Sequence, residues 1–205
     1  MLDMNPIYEK SESARTHPEI PGSPTASREN RVAAPTAGRE GVGSLIRPAH
    51  SGDVDAVLAI RNHAIEHSTA LWTETQQSRA EGVAWLDAHL DRGSAFVAED
   101  EGEVAGFAVY GPWRGLDGYR HTVENSVYVR EGRHGRGIGS ALMTTLVRSA
   151  GCAGHHVMIA DIEAGNAASI RLHERFGFYH VGTVREVGTK FGRWLDLTIM
   201  RLPLT

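Results

Sequence analysis

Three closely spaced glycines, Gly135, Gly137 and Gly139, stand in the stretch RHGRGIGSALM, residues 133–143, directly before a helix-like pattern. A glycine-rich turn that leads into a helix presents unpaired main-chain N–H groups at the positive end of the helix dipole. Glycine has no side chain to keep phosphate oxygens away from those groups. The spacing therefore favours a phosphate-binding turn, and a strand-to-helix corner without a ligand is the alternative.

Two familiar phosphate loops do not fit this spacing. The P-loop pattern GxxxxGK[ST] requires a lysine after its last glycine, and here Ser140 follows Gly139. A dinucleotide-binding turn has the pattern G-x-G-x-x-G early in a βαβ unit, with an acidic residue about 20 positions later. The pattern here is G-x-G-x-G and lies late in the chain, which disfavours a dinucleotide.

The remaining metal-binding and reactive side chains give weaker signals. His63 and His67 have the i, i+4 spacing of metal ligands on a helix. Alanine follows His63 where the HExxH pattern has glutamate, so we expect no metal site. Cys152 is the single cysteine, which excludes an internal disulfide framework and fits a reducing cytoplasm.

The composition limits the class of protein. A chain of 205 residues with 41% hydrophobic and 22% charged residues predicts one soluble globular domain with a tail. The net charge of −4 provides no basic surface for nucleic acid. No run approaches the roughly 18 apolar residues that span a bilayer, and the start MLDMNPIYEK lacks the apolar segment of a secretory signal. We expect a cytoplasmic protein without nucleic-acid or membrane partners.

The pattern of apolar residues divides the chain into a tail and a folded part. Residues 1–44 are rich in Pro, Ser, Gly, Ala and charge without apolar periodicity, and we expect them to be a disordered tail; a partner-binding arm is the alternative. Residues 45–205 alternate in the order β-α-α-β-β-β-α-β-α-β-β, and Ser78 with Glu81 predicts a capping box at the second helix. The order predicts a mixed α/β sheet flanked by helices.

The surroundings of the glycine turn resemble the acetyl-CoA signature of the GNAT N-acetyltransferases. SVYV precedes the turn, and NAASIRLHERFGF follows one helix and one strand later. In that family a Q/R-x-x-G-x-G/A turn binds the CoA pyrophosphate through main-chain N–H groups. The resemblance implies acetyl-CoA as cosubstrate and a set of cofactor-binding residues: Val127, Tyr128, Val129, His134, Gly135, Arg136, Gly137, Ile138, Gly139, Ser140, Asn166 and His173.

Three positions depart from the family motifs. His134 occupies the Q/R position, and the arginine, Arg133, comes one residue earlier. Ser169 replaces an alanine and His173 replaces a tyrosine in the second motif. Main-chain binding of the pyrophosphate does not depend on the first change, whereas the tyrosine position takes part in the chemistry of many family members.

A longer resemblance, over residues 45–204, narrows the family to one branch. The stretches YGPWRGLDGYRHTVENSVYV and VREVGTKFGRWLDLTIM are similar to the phosphinothricin and methionine sulfone/sulfoximine acetyltransferases. The resemblance implies acetyl transfer to the α-amino group of a small amino-acid-like substrate, a homodimer and no metal. Acetylation of a protein N-terminus or another amine, and a non-catalytic acetyl-CoA sensor, are the alternatives.

The resemblance also implies roles in acetyl transfer. Glu124 matches the general base, which must remove a proton from the ammonium before nitrogen can attack. A surface glutamate on an edge strand is the alternative. His173 stands where tyrosine protonates the leaving thiolate, and it either donates that proton or is a helix histidine that merely packs or bonds to CoA. A main-chain N–H near Val127 is the expected oxyanion donor. Asn166 should bind the pantetheine arm, or cap a helix.

The amine-binding residues are also implied by the branch. Arg114 and Tyr119 align with its substrate loop, where arginine can bind a carboxylate or phosphinate through two hydrogen bonds. Trp72 aligns with an aromatic residue that walls the pocket, and Glu124 completes the set. KFGRW, with Lys190 and Arg193, either completes the pocket or a dimer contact, or carries solvated charges. Cys152 lies after the helix without a paired base, so we expect direct attack without an acetyl-enzyme.

Overall fold

The computed structural model describes residues 44–204. The predicted tail, residues 1–44, lies outside this part except for Ser44, which is buried directly before the first strand. Within residues 44–204 no helix combines the length and apolar composition needed to cross a bilayer.

The described residues form strands and helices in the order that the sequence predicts. The strands are β1 (Leu45–Pro48), β2 (Ala95–Asp100), β3 (Glu103–Pro112), β4 (Thr122–Val129), β5 (Val157–Glu163), β6 (Tyr179–Lys190) and β7 (Arg193–Pro203). The α-helices are α1 (Val54–His67), α2 (Arg79–Leu90), α3 (Ile138–Cys152) and α4 (Ala167–Arg175). The capping box is confirmed, since the Ser78 side chain accepts from the N–H of Glu81 and the Glu81 carboxylate accepts from that of Ser78.

The seven strands form one mixed sheet in the order β1-β2-β3-β4-β5-β7-β6. β4 and β5 pair in parallel, and the other neighbours pair antiparallel. One apolar cluster joins α3 to the sheet, and a second joins α1 and α2 to β2 and β3. The sheet therefore has helices on both faces, which confirms the predicted mixed architecture.

β4 and β5 separate in the middle of the sheet, and this separation positions the site. Their pairing runs only from Thr122–Val157 to Glu124–Ile159, although both strands continue beyond it. Beyond Glu124 the edge of β4 that faces β5 has no partner strand in the described sheet. A cleft thus opens beside the second half of β4.

The hydrogen bonds of β4 determine which main-chain groups face this cleft. The β3–β4 register continues without a bulge, and Arg130 N–H donates to the Ala105 carbonyl at its end. In an antiparallel pair every second residue turns its N–H and C=O toward the partner. Counting back from Arg130, the main-chain groups of Val127 and Val129 point away from β3, into the separation.

Candidate active site

The glycine turn has the conformation that an anion site requires. Gly135 and Gly137 adopt positive φ, 77° and 82°, and a Cβ at either position would meet nothing within 4 Å. Conformation rather than space therefore favours glycine there. Gly137 is the N-cap of α3 and makes no side-chain cap bond. Within the described chain we find no hydrogen bond from the main-chain N–H groups of residues 134–140, so they are free for a ligand.

The two basic residues around the first glycine have different positions. Arg133 is held on the β2–β3 turn by ion pairs of 2.9 Å with Asp100 and 2.7 Å with Glu101. His134 is exposed and lines the cleft. The structure thus places His134 at the cleft, whereas Arg133 holds the turn through its ion pairs.

The cleft between α1 and the end of β4 has a volume of about 430 Å³. Five of the predicted cofactor-binding residues line it: Val127, Tyr128, Val129, His134 and Asn166. His63 and His67 line it as well, with ring centroids 4.5 Å apart. Their spacing shows that they share a helix face, but the sequence contains no signal for which face meets the cleft. Residues 44–204 contain no group of three or more potential metal ligands.

Glu124 lies at the last β4–β5 pair, where the strands separate. Tyr128 packs on the α1/α2 face of the sheet and Val127 on the α3 face, so alternation places Glu124 on the α1/α2 face. Burial, followed by the negative charge of Asp161, raises the pKa of Glu124 to about 7. A carboxylate with such a pKa exchanges protons near neutral pH, as a general base must.

Asp161 is a candidate site residue that the sequence analysis did not identify. Ala160 and Ile162 face the α3 side of β5, so Asp161 faces the same side of the sheet as Glu124. Partial desolvation raises the pKa of Asp161, whereas a hydrogen bond from Trp113 and the charge of Arg114 oppose that rise. An acid in the otherwise apolar strand HVMIAD was the available signal.

His173 is buried, and both of its ring nitrogens have hydrogen-bond partners. The residue is 5% exposed, its Nδ1 is 2.8 Å from the Ser169 carbonyl, and its Nε2 is 3.0 Å from the Asn125 amide nitrogen. A carbonyl only accepts, so Nδ1 carries the proton and Nε2 accepts from Asn125. Burial lowers the pKa of the imidazole. Both nitrogens are committed, which argues against the predicted proton donation and favours the packing alternative.

Asn166 caps a helix, which is one of its two predicted roles; its binding of the pantetheine arm stays a prediction. Its Oδ1 accepts from the N–H of Ser169 at 3.1 Å, which caps α4, and the residue also lines the cleft. The cap uses the oxygen and leaves the Nδ2 hydrogens for another acceptor.

Arg114 and Tyr119 come together in the loop between β3 and β4. The Arg114 guanidinium lies 4.3 Å from the ring centroid of Trp113 and 5.8 Å from that of Tyr119. The two rings meet edge to face at 5.3 Å. These aromatic contacts position an exposed cation near Asp161.

Trp72 lies against the β6–β7 hairpin. Its indole nitrogen donates to the Thr69 carbonyl at 3.0 Å, and its ring covers Gly188, where a Cβ would come within 2.1 Å. The Thr69 hydroxyl is 3.2 Å from the Glu163 carboxylate at the end of β5. The α1–α2 loop therefore reaches both the hairpin and the strand that carries Asp161.

The charges of KFGRW have different environments. Lys190 is 1% exposed, so it is not a solvated charge, whereas Arg193 is exposed. Cys152 is exposed at the far end of α3. A helix rises about 1.5 Å per residue, so the fifteen residues of α3 separate this thiol by roughly 20 Å from the glycine turn.

Comparisons with known proteins show the family of the chain. The sequence profile of the acetyltransferase (GNAT) family matches residues 58–178. The L-methionine sulfoximine/L-methionine sulfone acetyltransferase of Pseudomonas aeruginosa is 50% identical over 161 residues, which cover 78% of this chain and 94% of that protein.

Two solved structures share the fold. A GNAT superfamily phosphinothricin acetyltransferase from Sinorhizobium meliloti, in complex with acetyl-CoA, is 34% identical with a TM-score of 0.76 and covers 79% of this chain and 89% of its own. A ribosomal-protein-alanine N-acetyltransferase from Brucella melitensis is 48% identical with a TM-score of 0.76 and covers 78% and 99%. The chain therefore belongs to the acetyltransferase (GNAT) family and is an acetyl-CoA-dependent N-acetyltransferase.

Proposed function

We propose that the protein acetylates the α-amino group of small amino-acid-like compounds of the methionine sulfoximine, methionine sulfone or phosphinothricin type. The observation that carries this proposal is Glu124, a carboxylate with a pKa of about 7 at the separation of β4 and β5. The substrates for which the relatives are named supply the compound class. Acetylation would remove the positive charge of such a compound, which supports a role in resistance to it.

Acetyl-CoA supplies the acetyl group as a thioester. We call the residues that would bind acetyl-CoA the acetyl-CoA half of the site. This half comprises the end of β4 (127–129), the turn (134–140) and Asn166. Free N–H groups at the start of α3 suit a pyrophosphate, and the main chain of Val127 and Val129 suits the amide-containing pantetheine arm. The N–H of Val127 is the candidate donor to the oxyanion.

The amine half comprises Glu124, Asp161, the Arg114–Tyr119 loop and the Trp72 loop. Glu124 accepts a proton from the substrate ammonium and thereby frees the nitrogen lone pair to attack the acetyl carbon directly. The new N–C bond forms as the C–S bond of the thioester breaks, and the departing CoA thiolate takes up the second proton that the nitrogen loses. Arg114, held on Trp113, is the candidate partner for the substrate carboxylate or phosphinate. His173 has no role as an acid in this proposal, because both ring nitrogens are engaged.

A second candidate substrate is the N-terminus of a protein. One relative of 48% identity is named for ribosomal-protein alanine. Both substrates present a free α-amine, so Glu124 would serve both reactions in the same way. They differ in the group attached beyond the α-carbon: a free carboxylate that Arg114 could bind, or a peptide chain.

Release of free thiol from acetyl-CoA tests the two candidates directly. The panel contains phosphinothricin, methionine sulfoximine, methionine sulfone, the twenty amino acids and a peptide that begins with alanine. We expect turnover on the first three compounds and its loss in Glu124→Gln. Turnover on the peptide alone would replace the proposed substrate class, and acetyl-CoA binding without turnover on any amine would favour the sensor.

We also propose that the protein is a cytoplasmic homodimer without nucleic-acid partners. β6 is an edge strand with exposed apolar side chains, including Val181 (58%), Val184 (44%) and Val187 (51%). Edge strands of this kind form contacts between chains. Light scattering should give about twice the 22.3 kDa of one chain, and Val187→Asp should reduce the mass to that of a monomer.

A further inference from the structure

Lys190, at the end of β6, inserts its side chain into a cage of main-chain oxygens. Its Nζ donates to the carbonyls of Ile65 at 2.6 Å, Ser68 at 2.6 Å and Leu71 at 2.7 Å. An ammonium has three hydrogens, so the three acceptors use its full donor capacity. Phe191 adds its ring, whose centroid lies 4.7 Å from Nζ.

A lysine side chain suits this cage better than an arginine side chain would. Only two of the 21 lysine and arginine residues are lysines, Lys10 and Lys190. Every other basic position of residues 44–204, histidine aside, is thus an arginine. The N–H donors of a guanidinium lie in one plane and point in different directions, so an arginine could not direct three hydrogens at the three carbonyls of this small cavity. Burial lowers the pKa of the Lys190 ammonium, and the charge of Glu74 opposes that shift. The Glu74 carboxylate also accepts from the N–H of Phe191 at 2.7 Å.

The three acceptors belong to the segment that forms one wall of the site. Ile65 lies in the last turn of α1, where free carbonyls attract a cation. His67, Ser68 and Ala70, which lie among the acceptors in sequence, line the cleft. Leu71 precedes Trp72, which packs on Gly188 two residues before Lys190. The β6–β7 hairpin therefore contacts residues 65–72 at two points, through Lys190 and through Gly188.

We infer that Lys190 is a positioning residue for the amine substrate: its caged ammonium fixes residues 65–72 and thereby the Trp72 wall of the amine half. This inference rests on the proposed function. His67, Ser68 and Ala70 also line the cleft of the acetyl-CoA half, but the glycine turn and the start of α3 are anchored separately, by the buried Ile138 and by the Arg133 ion pairs. Loss of the cage should therefore weaken amine binding more than acetyl-CoA binding.

Steady-state kinetics of Lys190→Met test this split. Methionine keeps most of the side-chain length but donates nothing, so KM for the best panel amine should rise by about tenfold or more, while KM for acetyl-CoA changes by less than about threefold. The matched control is Arg148→Met, which removes an exposed cation from α3 for which we find no side-chain partner within residues 44–204. Both KM values of Arg148→Met should match those of the wild-type enzyme.

Equal increases in both KM values, or no increase in either, would overturn the inference. A wild-type enzyme that acetylates none of the amines would instead overturn the proposed function, so the two failures are distinguishable.

A second measurement does not depend on whether the variant folds. Isotopically labelled lysine gives two ammonium signals in the wild-type NMR spectrum, and that of Lys10 disappears in Lys10→Arg, which assigns both. With CoA already bound, titration with methionine sulfone should shift the Lys190 signal, because the amine contacts the wall that the cage fixes. An unchanged Lys190 signal at a saturating amine concentration would contradict the inference.

Discussion

The proposed acetyl-CoA half and the proposed amine half of the site differ in how the chain builds them. The first is local and largely main-chain: the end of β4, the turn and the start of α3 occupy residues 127–140, with Asn166 added from the N-cap of α4. The amine half joins side chains from distant segments, namely Trp72, Arg114, Glu124 and Asp161, and its Trp72 loop is held by Lys190 across a separation of up to 125 residues.

This difference explains how one fold can keep a cosubstrate while its amine changes. Backbone N–H groups at a helix start bind a pyrophosphate with little dependence on side chains. The amine half depends on side chains, and those that lie in loops, Trp72 and Arg114, can change without disturbing the sheet. Substitutions in the two halves should therefore affect different kinetic constants.

The largest effect is expected for Glu124→Gln, because it removes the proposed general base of the reaction. General-base catalysis contributes typically about 10²–10⁴-fold, so kcat with methionine sulfone should fall by a factor in that range. Binding of acetyl-CoA, measured by calorimetry, should remain unchanged. A fall of less than about fivefold would mean that another group removes the proton.

The stability of the same variant provides its control. The folded-state pKa of about 7 exceeds the ordinary 4.5, so the folded protein loses stability as pH rises from about 4.5 through 7. Glutamine carries no charge and escapes this loss. Glu124→Gln should therefore melt at a higher temperature than the wild-type enzyme at pH 8, which excludes unfolding as the cause of inactivity.

Gly137→Ala should act on the acetyl-CoA half alone. An L-residue at φ 82° costs about 1–2 kcal/mol, and relaxation of the turn would misdirect its N–H groups. We expect KM for acetyl-CoA to rise by about tenfold with an unchanged KM for the amine. Gly151→Ala, in the same helix but without positive φ, is the matched control and should leave both constants unchanged.

Gly188→Ala should have the opposite selectivity. The new methyl group would lie 2.1 Å from the Trp72 ring and must displace it from the hairpin. KM for the amine should rise severalfold while KM for acetyl-CoA stays constant. Gly182→Ala, on the same strand with open space around it, serves as control. If both variants raised the same constant, the division into two halves would be wrong.

Asp161→Asn should change the pH dependence of kcat more than the maximum value of kcat. The activity requires ionised Glu124, so kcat should rise with pH through about 7. Asp161 contributes to that raised pKa through its negative charge, so its removal should move the midpoint to lower pH. The pH dependence of kcat at a saturating amine concentration measures the shift. An unmoved midpoint would mean that burial alone raises the pKa of Glu124.

The contrast between features built from one short stretch and features built from distant segments also determines what could be predicted from the sequence. The order of elements and the position of the glycine turn directly before α3 depend on local spacing, and the structure confirms both; phosphate binding by the turn stays a prediction. The Lys190 cage and the Asp161–Glu124 neighbourhood depend on which strands become adjacent, and no short stretch encodes that. His173 was assigned from its motif position alone, but Asn125, 48 residues away, occupies its Nε2. Residue identity indicated a proton donor, and the distant partner argues against that role.

The smallest effect is expected for Cys152→Ser, which tests whether the acetyl group passes directly between the two halves. The thiol is exposed at the end of α3, roughly 20 Å from the turn, and lies outside both halves. Turnover should stay within about twofold of the wild-type enzyme, and mass spectrometry after incubation with acetyl-CoA alone should detect no acetylated Cys152. A collapse of turnover, together with such an adduct, would require a covalent carrier and would break the arrangement in which Glu124 activates the amine for direct attack.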